Sequence, residues 1–191
     1  KEFRSVGKAF YELIWDATLH STGYIENVLS LFERYPRLGV LTPPPPFWGT
    51  YFWSSTDYWT ICYDEVKKLA ARLKLDAKIE RDKRLFGLGS VFWARTAALK
   101  PLLTAGFTLD DFPPEPMAND GTFSHAIERV IPFVAASERY LSGWVMSDDY
   151  ARTLISDLQV MFDETKIRLM EYDEVRTSTF ADFLDSLQKI P

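Results

Sequence analysis

The chain is poor in the residues that most compact chemistries require. A single cysteine, Cys62, stands among 191 residues, so no internal disulfide can form, which fits a reducing compartment. The two histidines, His20 and His125, are far apart in sequence, leaving no clustered Cys/His set of the kind that holds zinc. Basic runs are equally scarce. None exceeds Lys67-Lys68 and the net charge is −5, which argues against a nucleic-acid partner, since phosphates demand a dense cationic footprint. No apolar run approaches the ~20 residues that cross a bilayer. No secretory signal pattern opens the chain. It starts at Lys1 with no methionine, as expected of a piece of a longer protein. Gly87-Leu88-Gly89-Ser90 lacks the later glycine, lysine and Ser/Thr of the phosphate-cradling fingerprints. Nor is Ser90 followed by the glycine of a nucleophile elbow.

Aromatic side chains, by contrast, are abundant: 14 Phe, 9 Tyr and 6 Trp. Most are expected to fill a core. Those beside Pro and Gly in loops are the exceptions, and Trp48 is the leading candidate for a platform under a sugar ring.

Helical and strand patterns alternate along the chain. Val6–Leu19 and Tyr24–Tyr35 carry helical periodicity, with Ser21, Thr22 and Gly23 as punctuation. Leu38–Thr42 is a short unbroken apolar run that reads as a buried strand, stopped by Pro43–Pro46. Phe47-Trp48-Gly49 then falls on a stiff loop at that strand's C-terminal end. Thr56–Leu75 returns to helical period through Ile61, Val66, Leu69, Ala70 and Leu73, with Ser54, Ser55 or Thr56 as cap and Cys62 on the apolar side. The second half of Leu85–Arg95 reads as a strand, Thr96 as the cap of a short helix, and Gly106 as its stop. Tyr140–Met146 reads as a strand, and Asp148–Met170 and Thr179–Lys189 as helices. This rhythm predicts an α/β fold with a mixed sheet flanked by helices, because the later strands are few and short. Residues 1–147 are expected to form one domain and 148–191 a C-terminal helical extension.

Between these elements lies Thr108–Arg129, which packs Asp110, Asp111, Glu115 and Asp120 into a proline-stiffened loop and opens into a helix. On that helix His125 and Arg129, four apart, share a face with Glu128. Phe123, Ala126, Ile127 and Val130 form the core stripe opposite. Loops held by a rigid scaffold are where chemistry concentrates. Asp111, Glu115 and Asp120 suit either a glycosidase-type acid/base pair or a single base that activates a sugar hydroxyl. A Ser-His-Asp reading through Ser90 or Ser124, His125 and Asp120 finds no support in the spacing.

Each residue also has a plain role. Asp120 before Gly-Thr suits a helix N-cap, Asp111 a turn, and Glu115 a solvated loop charge. His125 can pair with Glu128 or Asp120, and Glu128 and Arg129 read as ion-pair partners. Trp93 and Arg95, read by strand alternation, are assigned one to the cleft and the other to the core.

The stretch Gly89–Arg129, GSVFWARTAALKPLLTAGFTLDDFPPEPMANDGTFSHAIER, resembles the rhamnan synthesis protein F family. Gly89–Arg95 matches a Gly-Ser-aromatic-Trp-Ala-Arg strand and Ala98–Leu103 an Ala-Leu-x-Pro-Leu-Leu helix. Asp111-Phe112 with Glu115 matches the acidic loop, and Asp120–Arg129 an Asp-Gly-Thr-x-x-His-Ala-x-Glu-Arg pattern. Arg37–Pro43, Trp48-Gly49 and Tyr140–Tyr150 resemble the flanking elements.

The resemblance implies a GT-A-like glycosyltransferase domain that transfers rhamnose from a nucleotide-activated donor, dTDP-rhamnose, to a bacterial cell-wall or surface polysaccharide. It implies Asp120 as catalytic base, with Glu115, Trp48, His125, Arg95 and Asp111 binding substrate. A divalent cation, Mg²⁺ or Mn²⁺, is implied too, although no ligands for it are assigned. The implied acceptor is a polysaccharide or lipid-linked glycan, and the implied location the cytoplasm, at the inner face of the membrane through the full-length protein. Asp-x-Asp, the acidic motif that usually holds metal and diphosphate in such domains, is absent from the sequence. The chain therefore reads as the acceptor-side part of the domain. Two alternatives remain open: a glycan-binding or scaffolding domain without turnover, and a glycoside hydrolase using Glu115 and Asp120.

Overall fold

The computed structural model describes residues 2–44, 59, 61–81, 87 and 89–172, without the side chains of 2–7, 9 and 168–172. The chain divides after Ser147 into two units. Among the described residues of the first, helix α1 (Glu2–Leu19) and helix α2 (Thr22–Arg34) are followed by strand β1 (Leu38–Thr42), helix α3 (Tyr63–Arg72) and strand β2 (Trp93–Ala94). A 3-10 turn (Thr96–Leu99), helix α4 (Lys100–Leu103), a second 3-10 turn (Leu109–Asp111), helix α5 (Phe123–Ser137) and strand β3 (Leu141–Trp144) complete it. The second unit contains helix α6 (Asp148–Tyr172), with Asp148 and Asp149 in its first turn. No helix among the described residues is long and apolar enough to cross a membrane.

The fold is mixed α/β. The strands form one sheet in the order β2-β1-β3, with β1 antiparallel to β2 and parallel to β3. Adjacent strand residues point to opposite faces, and β1 shows what that builds. Val40 joins a buried cluster with Val66 and Leu69 of α3 and with Ala126, Val130 and Val134 of α5. Leu41, on the other face, joins Val28 of α2 and Val145, with Phe32 and Trp93 packed alongside. Helices thus cover both faces of the central strand, which explains why β1 reads as a continuous apolar run rather than an alternating one. Each such side chain fully withdrawn from water contributes about 1.5–3 kcal/mol. At Gly39 a Cβ would stand 2.5 Å from Tyr140 Cβ and 2.9 Å from Ala98 Cβ, so only glycine fits where β1 meets its neighbours.

Local chemistry sets the element ends. Ser21 caps α2 by accepting a hydrogen bond from the Tyr24 N–H at 3.2 Å. On α1, Leu13, Ile14 and Ala17 are buried, at the spacing of one helix face.

Several expectations are corrected. The helix expected over Thr56–Leu75 is described only at Tyr63–Arg72, and its expected caps, Ser54 to Thr56, lie outside the described residues. Val66, Leu69 and Ala70 are buried as expected, but Ile61 is 73% exposed because it precedes the helix, while Trp59 is fully buried in the same core. Thr96 is not a cap: Arg95 holds that position and Thr96 opens the 3-10 turn. Thr179–Lys189 and the Phe47–Gly49 loop with Trp48 lie outside the described residues.

Candidate functional site

The acidic loop is fastened at both ends. At its start Asp111 accepts the Thr108 N–H at 2.8 Å and pairs with Arg72 of α3 at 2.7 Å. These two donors, the backbone N–H first and the guanidinium second, hold the Asp111 carboxyl below its ordinary pKa. The Arg72 guanidinium also lies 4.5 Å over the Phe107 ring, and Phe107 and Phe112 each meet Phe123 of α5 edge-on at 5.2 and 5.1 Å. Asp111 is therefore a turn residue that closes the loop onto α3.

At the other end, Arg129 of α5 donates from Nη1 to Asp120 Oδ1 at 2.6 Å. This pair is deeply set, the side chains being 8% and 14% exposed. Gly121 follows with φ +73°, a left-handed turn that favours glycine, and a Cβ there would stand 2.8 Å from Ile61 Cδ1. That turn swings the chain from Asp120 into α5. Thr122, not Asp120, occupies the N-cap position of α5. Its hydroxyl shares a 2.7 Å hydrogen bond with His125 Nδ1, which replaces the expected pairing of His125 with Glu128 or Asp120.

Glu128 instead accepts the Gly89 N–H at 2.6 Å, tying the loop before β2 to α5. Arg129 was expected on the polar face with His125, yet it is buried. It stands three residues after Ala126, on the flank of the apolar stripe, and its charge is met there by Asp120. Cys62, at the N-terminus of α3, is fully buried. Burial pushes its thiol up in pKa, with the nearby Arg129 guanidinium pulling the other way. Burial acts to lower the pKa of Arg129, but the Asp120 carboxylate and Cys62 outweigh it, so the guanidinium stays firmly charged.

Glu115 sits exposed at the loop's crest, accepting the Met117 N–H at 3.1 Å, and the Glu115–Pro116 peptide is cis. Asp111, Glu115, Asp120 and His125 thus share one loop and the helix turn it feeds. Arg95 does not join them. It donates to the carbonyls of Phe32 and Leu38 and lies over the Phe32 ring, fastening α2 to the sheet. Trp93 turns the same way, its Nε1 donating to the Thr18 carbonyl at 3.0 Å. Residues two apart in an extended segment share a face, so the division of this pair between cleft and core does not hold.

Sequence reasoning missed two residues here, Glu128 as a backbone acceptor and Arg129 as the partner of Asp120. Asp120 lies in irregular chain nine residues before Arg129, where helical periodicity says nothing. Among the described residues no group of three or more His, Cys, Asp or Glu side chains is placed to hold a metal ion.

The rhamnan synthesis protein F family matches residues 1–140. A relative in Xanthomonas campestris pv. campestris strain ATCC 33913, the uncharacterized protein WxcX, is 51% identical over 107 residues. Its counterpart in strain B100 is 32% identical over 107 residues. Each alignment covers 56% of this chain and 14% of the relative, so the chain spans a small part of the curated proteins it matches. No solved structure gives a significant match. With the family pattern covering most of the first unit, acidic loop included, the chain belongs to the rhamnan synthesis protein F family.

Proposed function

We propose that this chain is the acceptor-side part of a GT-A-like glycosyltransferase domain. The full-length protein would transfer rhamnose from a nucleotide-activated donor, dTDP-rhamnose, to a growing bacterial cell-wall or surface polysaccharide. The observation that carries this reading is the fixed carboxylate of Asp120, pinned by Arg129 at 2.6 Å in the loop whose crest exposes Glu115. Family membership supplies the polysaccharide context. Asp120 takes the proton of the acceptor hydroxyl as that oxygen bonds to the anomeric carbon, and the bond from that carbon to the nucleoside diphosphate breaks. Glu115 accepts hydrogen bonds from acceptor hydroxyls and His125 lines the same rim, while Trp48, outside the described residues, is the platform expected for the sugar ring. The described residues do not fit the divalent cation that the family resemblance implies, having no suitable ligand group. The acceptor is a polysaccharide or lipid-linked glycan, met at the cytoplasmic face of the membrane.

The test is transfer by the full-length protein from dTDP-rhamnose to a surface-polysaccharide fragment, followed by mass spectrometry. Addition of one deoxyhexose, lost in Asp120→Asn, supports the reading. Glycan cleavage without any nucleotide sugar overturns it in favour of a hydrolase using Glu115 and Asp120. A second reading, a glycan-binding or scaffolding domain, is favoured by the lack of a metal-ligand group among the described residues. Glycan binding with no turnover by the full-length protein would establish it instead.

A further inference from the structure

We infer that Arg129 is a positioning residue for the reaction, acting through Asp120 by fixing where that carboxylate points. The inference rests on Asp120 being the base. Three features of Arg129 carry it. First, a guanidinium that is 92% withdrawn from solvent is an expensive way to fasten a surface loop, because burying an ion pair costs about as much as the pair returns. The other end of the same loop is fastened by a pair whose arginine is half in water, Asp111–Arg72, at a smaller such cost.

Second, the pairing is incomplete. Among the described residues Arg129 Nε is buried without a hydrogen-bond partner, and an orphaned buried donor calls for an explanation beyond simple ion pairing. Third, the guanidinium is itself held rigidly. It rises from α5 on the flank of the stripe that Ala126 and Val130 bury, with Cys62, just before α3, beside it. Among the described residues, the titratable groups that act on it are Asp120 and Cys62.

A planar guanidinium so confined has little freedom, and the carboxylate oxygen bonded to it inherits that orientation. Asp120 precedes a left-handed glycine in irregular chain, so no regular element sets its orientation. Misplacing a reacting group by about 1 Å costs ~10²-fold in rate. Arg129 is therefore the residue that turns a loop aspartate into an aimed one.

The experiment uses the full-length protein and compares Arg129→Lys, Arg129→Met, Asp120→Asn and the double variant Arg129→Met/Asp120→Asn, with rates expressed per folded protein. Arg129→Met is expected to lower kcat ~10²-fold while changing the KM for acceptor less than about threefold. Arg129→Lys should recover part of kcat. In the double variant the two losses should not multiply, as for residues acting as one unit.

Near-normal kcat in folded Arg129→Met, or full multiplication of the two losses, overturns the positioning role while leaving the base intact. Near-normal turnover in Asp120→Asn overturns the base, and the inference with it. If Arg129→Met fails to fold, Arg129→Lys decides. A kcat below wild type at unchanged melting temperature and acceptor KM supports the inference, and an unchanged kcat overturns it.

Discussion

Two aspartates fasten the acidic loop to two arginines, and their surroundings make them different objects. Asp111 meets Arg72 at 2.7 Å with the arginine side chain 49% exposed, and Asp120 meets Arg129 at 2.6 Å with that side chain 8% exposed. Distance does not separate the pairs. Water does. An exposed pair exchanges one set of solvated contacts for another and is screened by salt. A buried pair has left solvent already, so removing one partner strands the other in a medium that cannot stabilise it. The loop is therefore lightly closed at Asp111 and firmly fixed at Asp120.

The largest expected effect breaks the firm end. Asp120→Ala should destabilise the fold by about 3–5 kcal/mol, the range for stranding one partner of a buried ion pair. Denaturant titration measures it, and a loss no larger than that of Asp111→Ala would dissolve the distinction. Asp120→Asn keeps an acceptor for Arg129 but not the charge, so its loss should be smaller than that of the alanine variant. A simple N-cap would have let Asn stand in for Asp at almost no cost. Thr122 holds that position, so Asn at 120 is expected to destabilise.

Next in size is the turn that aims Asp120. Gly121→Ala places a side chain at φ +73° and a Cβ 2.8 Å from the Ile61 side chain. The left-handed backbone costs roughly 1–2 kcal/mol, and Ile61, being 73% exposed, can swing aside. Thermal melting should register that cost. Transfer by the full-length protein should fall further than stability alone explains, because the carboxylate is re-aimed. Loss of stability with normal transfer would show that the turn shapes the helix entry and not the site.

How much of this was legible in the sequence depends on which physics each feature uses. β1 emerged with its observed limits, Leu38–Thr42, because burial on both faces leaves an unbroken apolar run between a turn and prolines. Helix α6 is described over Asp148–Tyr172 against an expected Asp148–Met170, since a long periodic stretch speaks for itself. The acidic loop stood out through its prolines and carboxylates. What stayed hidden was pairing across sequence distance: Asp120 with Arg129, Glu128 with the Gly89 N–H, Arg95 with the α2 carbonyls. Periodicity places a residue on a helix face, but it does not say which loop returns to that face. Arg129 shows the cost of that blindness. It reads as an ion-pair partner, but which acid it meets appears only once the loop is placed.

The smallest expected effect lies at the exposed end, and it sharpens the comparison through solvent conditions. The Thr108 N–H and Arg72 hold the Asp111 carboxyl below its usual pKa, so the folded state binds that proton more weakly than the unfolded chain does. The sign follows: this contribution is fully present above the unfolded value near ~3.9 and is lost as pH falls through the lower folded value. Asp111→Asn should therefore melt slightly below wild type at neutral pH and converge with it under acid. Raising salt from about 0.05 to about 1 M, where the screening length falls to roughly 3 Å, should also narrow the gap, because Arg72 stands half in water. The gap for Asp120→Asn should survive the same salt, since ions cannot enter between Asp120 and Arg129. Melting curves of both variants across the salt series measure this directly. If salt closed both gaps alike, the Asp120–Arg129 pair would be as open to solvent as its counterpart, and the firm end of the loop would not be firm.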